Sequence, residues 1–255
     1  EAWASIPGTP ALRDINPEYF RIAPLPGTRK EVNQVARLLK QSGIPATVLL
    51  KEAASEDLLK QQRNPRILHI ATHGFFEPEE EIYLAMQPGA LSGQQVGQNP
   101  YLHCGLYLAG AETSIKNLKN PDFIRPAQQD DGILTAYEAA LLNLRGTELV
   151  VLSACETGLG VNRNGEGVYG LQRAFQEAGA EAVIFSLWKV ADKQTQEMME
   201  LFYENWLQKG MDKRSAFEAA RREIKRQYPQ PRYWGAFVMM EKKPVDTAEA
   251  STRKK

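Results

Sequence analysis

Histidine and cysteine are scarce in this sequence: three of the first and two of the second among 255 residues. Two cysteines, Cys104 and Cys155, exclude a disulfide-built scaffold. With no secretory leader at the start of the chain, they point to a reducing, cytoplasmic setting. No apolar run approaches the roughly 20 residues of a membrane helix, so a membrane partner is not expected. Charge of one sign is missing too: 31 Lys and Arg balance 31 Asp and Glu, so no overall field draws the chain toward nucleic acid. No internal repeat is present. Glu1 stands where a methionine would open a complete chain, which fits a piece of a longer polypeptide.

What is present is an ordinary globular composition, 43% hydrophobic and 24% charged, long enough to bury a sizeable core. Residues 25–243 carry no internal boundary and are taken as one domain. A proline-rich arm (1–24) precedes it and a tail with little to bury (244–255) follows. The segment LVVL, 149–152, is an unbroken apolar run of the kind found in strands buried on both faces of a parallel sheet. Ser153, Ala154 and Cys155 follow it, and Gly158 and Gly160 then end regular structure. Upstream, a second short apolar strand (67–71) leads to His73 and Gly74. A thiol and an imidazole, each just past the end of a strand, would meet at the rim where open α/β sheets gather their ligands.

The remaining elements alternate. Thr28, with Glu31 three residues on, has capping-box spacing ahead of a helix striped by Val32, Val35, Leu38 and Leu39 and closed by Gly43. Strands are expected at 19–23, 46–50, 181–188 and 233–240, with 106–109 at the edge of the sheet. Helices are expected at 135–144 and around Val168 to Ala178, and behind the caps Ser55, Asp192 and Asp212. This order predicts an α/β, doubly wound parallel sheet.

A thiol attacks a carbonyl as its thiolate, and an unassisted cysteine is mostly protonated at neutral pH. An imidazole beside it lowers that pKa or protonates the departing amine. The amides of Gly74 and Cys155 are candidates for an oxyanion hole, so the chemistry that fits is acyl transfer through a thioester. Blander readings stand beside this. A lone cysteine is more often packing than nucleophile. His69 and His73 have i, i+4 spacing, but Gly74 and the strand pattern argue against a helix-borne zinc pair. The Gly158 to Gly167 loop lacks the spacing and the lysine of a phosphate cradle. His103-Cys104, Met198-Met199 and Met239-Met240 read as structure.

These stretches, ILHIATHGFF and ELVVLSACETGLG, resemble the His and Cys motifs of CHAT domains, caspase-like domains often found beside tetratricopeptide repeats. LPGTRKEV, CGLYLAGAE, GEGVYGLQRAF, SLWKVAD and YWGAFV match the family in order, from about Leu25 to Glu241. The resemblance implies a caspase-hemoglobinase-like three-layer α/β/α sandwich with a mostly parallel central sheet. It also implies a cysteine peptidase with a His73/Cys155 dyad, Gly74 at the oxyanion position, a protein substrate and no cofactor. Ser186, Trp188 and Lys189 become candidates for the substrate cleft, against the simpler reading of a strand end with an aromatic plug. Asp131, with Asp130 and Glu138, is a candidate selector of a basic side chain, against a solvated turn and helix face. The loop 156–167 is expected to order on activation, with Arg163 a processing site. The repeats usual in the family are absent here, so either they have been cut away or a separate regulatory or repeat-bearing partner serves instead. Two other classes stay open: a caspase-like signalling module that turns over little without a partner, and a nucleotide-binding α/β domain.

Overall fold

The computed structural model describes residues 20–76, 100–102, 104–117, 120, 130–153, 170–188 and 190–242. Its central sheet joins β1 (Ile67–Ile70), β5 (Leu149–Leu152), β6 (Ala182–Ser186) and β7 (Phe237–Glu241), in that order. The first two pairings are parallel and the last antiparallel, giving the mostly parallel sheet expected. Alternation sets the layers. Leu149 and Val151 point into one core with helices α1 (Pro26–Gln41), α6 (Asp192–Tyr203) and α7 (Lys213–Gln227). Val150 and Leu152 point into the other, with α4 (Ala136–Ala140) and α5 (Gly170–Glu177). All four strand residues are at most 1% exposed, so both faces are covered and the fold is α/β in three layers. Burying each such side chain contributes about 1.5–3 kcal/mol.

A second sheet lies beside the first. It is antiparallel and built from β2 (His73–Phe76), β3 (Cys104–Tyr107) and β4 (Ile133–Thr135), in the order β2-β3-β4. The apolar run at 106–109 therefore supplies the middle of this small sheet, not an edge of the large one. Gly105 is required there, because a Cβ would sit 2.3 Å from the Leu134 backbone oxygen on β4, with the Phe75 ring on β2 also 2.7 Å away. Residues 20–23 form no strand, Tyr19 lies outside the described residues, and residues 46–50 enter no ladder among those described. Leu49 is 40% exposed, so the 46–50 run is not a sheet strand buried on both faces.

Three helix starts fall where they are expected or close to it. Ser55 caps α2 (Glu56–Lys60) by accepting from the Leu58 amide, and Asp212 caps α7 by accepting from Ser215. Thr135 and Glu138 form a capping box on α4, which ends sooner than expected, at Ala140. Gly43 follows the last turn of α1 at φ +73°, the left-handed stop that glycine tolerates. Thr28 and Asp192 behave otherwise. Helix α1 already begins at Pro26, Thr28 Oγ1 donates to Leu25 O at 2.8 Å, and Glu31 is buried against His69. Asp192 leaves α6 uncapped and accepts from the Gly27 amide instead. Both side chains have long-range or backbone partners that a local spacing rule does not see. Helix α6 runs on as a π turn, Glu204–Gln208.

Candidate active site

Strands β1 and β5 lie side by side in register, His69 opposite Val151 and Ile70 opposite Leu152. The Ser153 amide extends the ladder by donating to Ile70 O at 2.8 Å. His73 follows Ile70 by three positions, and Cys155 follows Leu152 by three. Cys155 itself, with the loop 156–167 and its Arg163, lies outside the described residues.

The chain reaches His73 differently from the simple strand end expected. It leaves β1 at Ile70, turns through Ala71 and Thr72, and begins β2 with His73 opposite Tyr107. Thr72 Oγ1 donates to Tyr107 O at 2.5 Å, and the Phe75 ring stacks on Tyr107 with centroids 4.8 Å apart. The histidine is thus held by the small sheet, three residues beyond the last residue of β1. Gly74 is buried opposite Leu106.

His73 Nε2 lies 2.7 Å from the backbone oxygen of Ala23. A carbonyl only accepts, so Nε2 carries the proton, and in the neutral ring Nδ1 keeps the lone pair. The imidazole is thereby fixed in one tautomer by a strap, residues 20–25, whose Phe20 and Ile22 pack against the small sheet. Phe20 anchors one end of the strap, buried edge-on to Tyr107 at 6.0 Å. Sequence reasoning had no route to Ala23, because its contribution is a main-chain oxygen.

Ser186 ends β6 and is buried opposite Phe237, one step beyond the Leu152–Phe185 pair. It thus shares the rim with Ser153. The Ser153 hydroxyl is buried and has no hydrogen-bond partner among the described residues, a feature no sequence motif announced. Trp188 is anchored, its Nε1–H donating to Arg232 O at 3.0 Å and its ring lying against Gly235. Lys189 lies outside the described residues. Asp131 accepts the Ile133 amide at 2.8 Å, and Ile133 and His73 both pair with Tyr107, so Asp131 belongs to the same end of the small sheet as His73.

Asp130 and Glu138 are engaged elsewhere. Lys60 Nζ lies 3.1 Å from Asp130 and 3.0 Å from Glu138. It lies 2.7 Å from Glu56 Oε1 as well, an ion pair poorly angled for a hydrogen bond. The second Glu56 oxygen accepts the Gly132 amide at 2.9 Å, tying α2 to the turn before β4. Gly132 sits at φ +79°, where a Cβ would lie 2.5 Å from Ala109 O. Burial is the main cause that raises the Glu56 carboxyl to about 7, against the opposing pull of Lys60. The folded state therefore holds this proton more tightly than the unfolded chain does. Stability contributed here is present below about pH 4.5 and declines as pH rises toward 7, on the order of 3 kcal/mol when ionisation is complete. Melting curves between pH 5 and 8 should show this decline in the native protein and a flatter profile in Glu56→Gln. An identical slope in both would remove Glu56 as its source.

His69 is a buried strand residue: its Nε2 lies 2.7 Å from Glu31 Oε1 on α1 and its Nδ1 3.2 Å from the Tyr203 hydroxyl on α6. Cys104 is 1% exposed, and burial pushes its thiol up to about 12. His103 lies outside the described residues.

A three-layer α/β fold with an oriented histidine at the end of its parallel sheet belongs to the caspase-like class. The chain is a member of the CHAT domain family, whose sequence model matches residues 10–242. It is similar to tetratricopeptide repeat protein 28 of Mus musculus, 24% identical over 242 residues, and to that of Homo sapiens, 24% identical over 241. Each alignment covers 93% of this chain and 9% of the relative, so the chain spans about a tenth of the length of the curated relatives it matches. Among the described residues no helix is long and apolar enough to cross a membrane.

Proposed function

We propose that the protein is a cysteine endopeptidase of CHAT type, with Cys155 as nucleophile and His73 as its acid and base. The observation that carries the reading is the register of β1 and β5. In that register Ile70 stands beside Leu152, and in the sequence His73 and Cys155 each follow three residues later, which supports bringing both to one rim. The Ala23 carbonyl adds to this by holding the Nε2–H tautomer and leaving Nδ1 to exchange a proton with the thiol or the substrate. In the first step the thiolate adds to the scissile carbonyl, with the Gly74 and Cys155 amides as donors to the oxyanion. His73 then protonates the amine as the C–N bond breaks, and water hydrolyses the thioester. Ser186, Trp188, Lys189 and Asp131 border the substrate in this scheme.

The matched relatives are named as tetratricopeptide repeat proteins, which supports a repeat-bearing partner or neighbour. Work on a protein substrate inside the cytoplasm, in a regulatory or signalling role, completes the reading. Labelling with an electrophilic peptide probe separates it from a catalytically quiet signalling module. Cys155 should react, while Cys104 should stay unlabelled until the protein is unfolded, because its buried thiol is almost never ionised at neutral pH. Equal labelling of the two in the native protein would refute a poised nucleophile. A peptide library would then read out which side chains the cleft accepts.

A further inference from the structure

The strap that orients His73 and the first turn of α1 into which it runs are gripped on the two sides of Ala23 by carboxylates from two separate helices. On one side, Glu112 in the first turn of α3 (Ala111–Lys116) accepts the Ile22 amide through Oε2 at 3.1 Å. Its other oxygen pairs with Lys116 and lies 3.5 Å from Arg21. Lys116, and after it the Ile22 amide, hold this carboxyl below its ordinary range, so it is ionised and a strong acceptor. On the other side, Asp192 at the start of α6 accepts the Gly27 amide through Oδ2 at 3.1 Å.

Asp192 stands where it would be expected to cap its own helix, yet α6 has no side-chain cap and the carboxylate is spent on the first turn of α1, where the strap ends. Gly27 allows the close approach: a Cβ there would lie 2.5 Å from Asp192 Cβ. The two gripped amides lie one residue before Ala23 and four residues after it. The Thr28 hydroxyl stiffens the intervening turn at Leu25 O. The Ala23 oxygen is thus suspended between two fixed points, and a shift at either point moves the acceptor that His73 depends on.

We infer that Glu112 and Asp192 are positioning residues for His73, acting through the strap and touching neither substrate nor nucleophile. The inference rests on His73 as the catalytic acid and base, but its geometric half can be read without turnover. The chain has three histidines, so nitrogen-15 histidine spectra of the full chain are simple and His73→Gln assigns the signal. The native protein should show neutral His73 protonated at Nε2. Glu112→Ala and Asp192→Ala should each convert it to a mixture of tautomers, whereas Glu112→Gln and Asp192→Asn should keep the native form, since an amide oxygen still accepts the same N–H. Gly27→Ala removes no carboxylate but crowds Asp192, and should reproduce the alanine effect in a folded protein.

In peptide cleavage, the alanine variants should lose kcat by about 10-fold with KM within about 2-fold, a loss of orientation and not of binding. The Gln and Asn variants should recover it. An unmoved His73 signal in the Glu112→Ala, Asp192→Ala and Gly27→Ala proteins would overturn the positioning role, whether or not the protein is a peptidase. Equal losses in the alanine and amide variants, tracking only their melting temperatures, would also overturn it. Tautomer mixing in a protein that cleaves no peptide would instead sustain the positioning and remove the peptidase reading.

Discussion

Replacing Cys155 with alanine should lower peptide cleavage by at least about 10³-fold, with the melting temperature nearly unchanged. The effect is large because a nucleophile has no substitute: without the sulfur no thioester forms, and the oxyanion donors act on bulk water alone. His73→Ala should approach the same floor, and the double variant should be little worse than either single one, since the two groups act as a unit. The measurement is initial rates on a cleaved library peptide, paired with thermal melts of each variant. Cleavage that survives Cys155→Ala would remove the mechanism outright. Rates that multiply in the double variant would show that the imidazole and the thiol do not share a step. The stability clause matters as much. His73 is partly exposed, and among the described residues its side chain is held by one hydrogen bond to Ala23 O, so its removal should leave both sheets intact.

The second large effect falls on stability, in β1 one residue before its rim end at Ile70. His69 and Glu31 are 7% and 4% exposed in their side chains and bonded at 2.7 Å. Burial holds the Tyr203 phenol far above its ordinary pKa, so it remains a donor to the other ring nitrogen. His69→Leu would leave the Glu31 carboxylate and the Tyr203 hydroxyl without this partner in the core. Loss of one member of a buried pair costs about 3–5 kcal/mol, or roughly 10 °C in a domain of this size. His69→Leu with Glu31→Leu should regain a substantial part of that loss, because the stranded charge is gone. Denaturant melts of the two singles and the double make the test. A double variant whose loss equals the sum of the singles would mean the pair is not coupled. The location gives the pair a further consequence: it clamps the strand that runs four residues later into His73.

Much of this architecture is written in local pattern. The apolar runs of β5 and β6 announce buried strands because both faces of a central strand must be apolar. Ser55, Asp212 and Gly43 act on neighbours three or four residues away, and short-range chemistry of that kind survives folding. The placing of His73 and Cys155 at equal sequence distances after two strands is legible for the same reason, as is the family motif around each. Residues 46–50 show the limit: their apolar character resembles a strand, but no partner amides meet them among the described residues.

What tertiary structure alone decided are the partners that lie far along the chain. Glu31 and Asp192 both sit at helix starts with capping spacing, and both were claimed by groups 38 and 165 positions away, His69 and Gly27. The small sheet could not be read either, since the β2–β3 and β3–β4 pairings join segments distant in sequence and Gly105 is needed only once the Leu134 oxygen and the Phe75 ring close on it from the two neighbouring strands. The Ala23 oxygen has no side-chain signature at all. The sequence by itself thus determined which strands form the buried sheet and where the family's histidine and cysteine motifs fall beside them, because those follow from side-chain type and period. Only the folded chain decided how the imidazole is oriented, because a hydrogen bond from a ring to a main-chain oxygen depends on where the backbone passes and not on which residue it passes through.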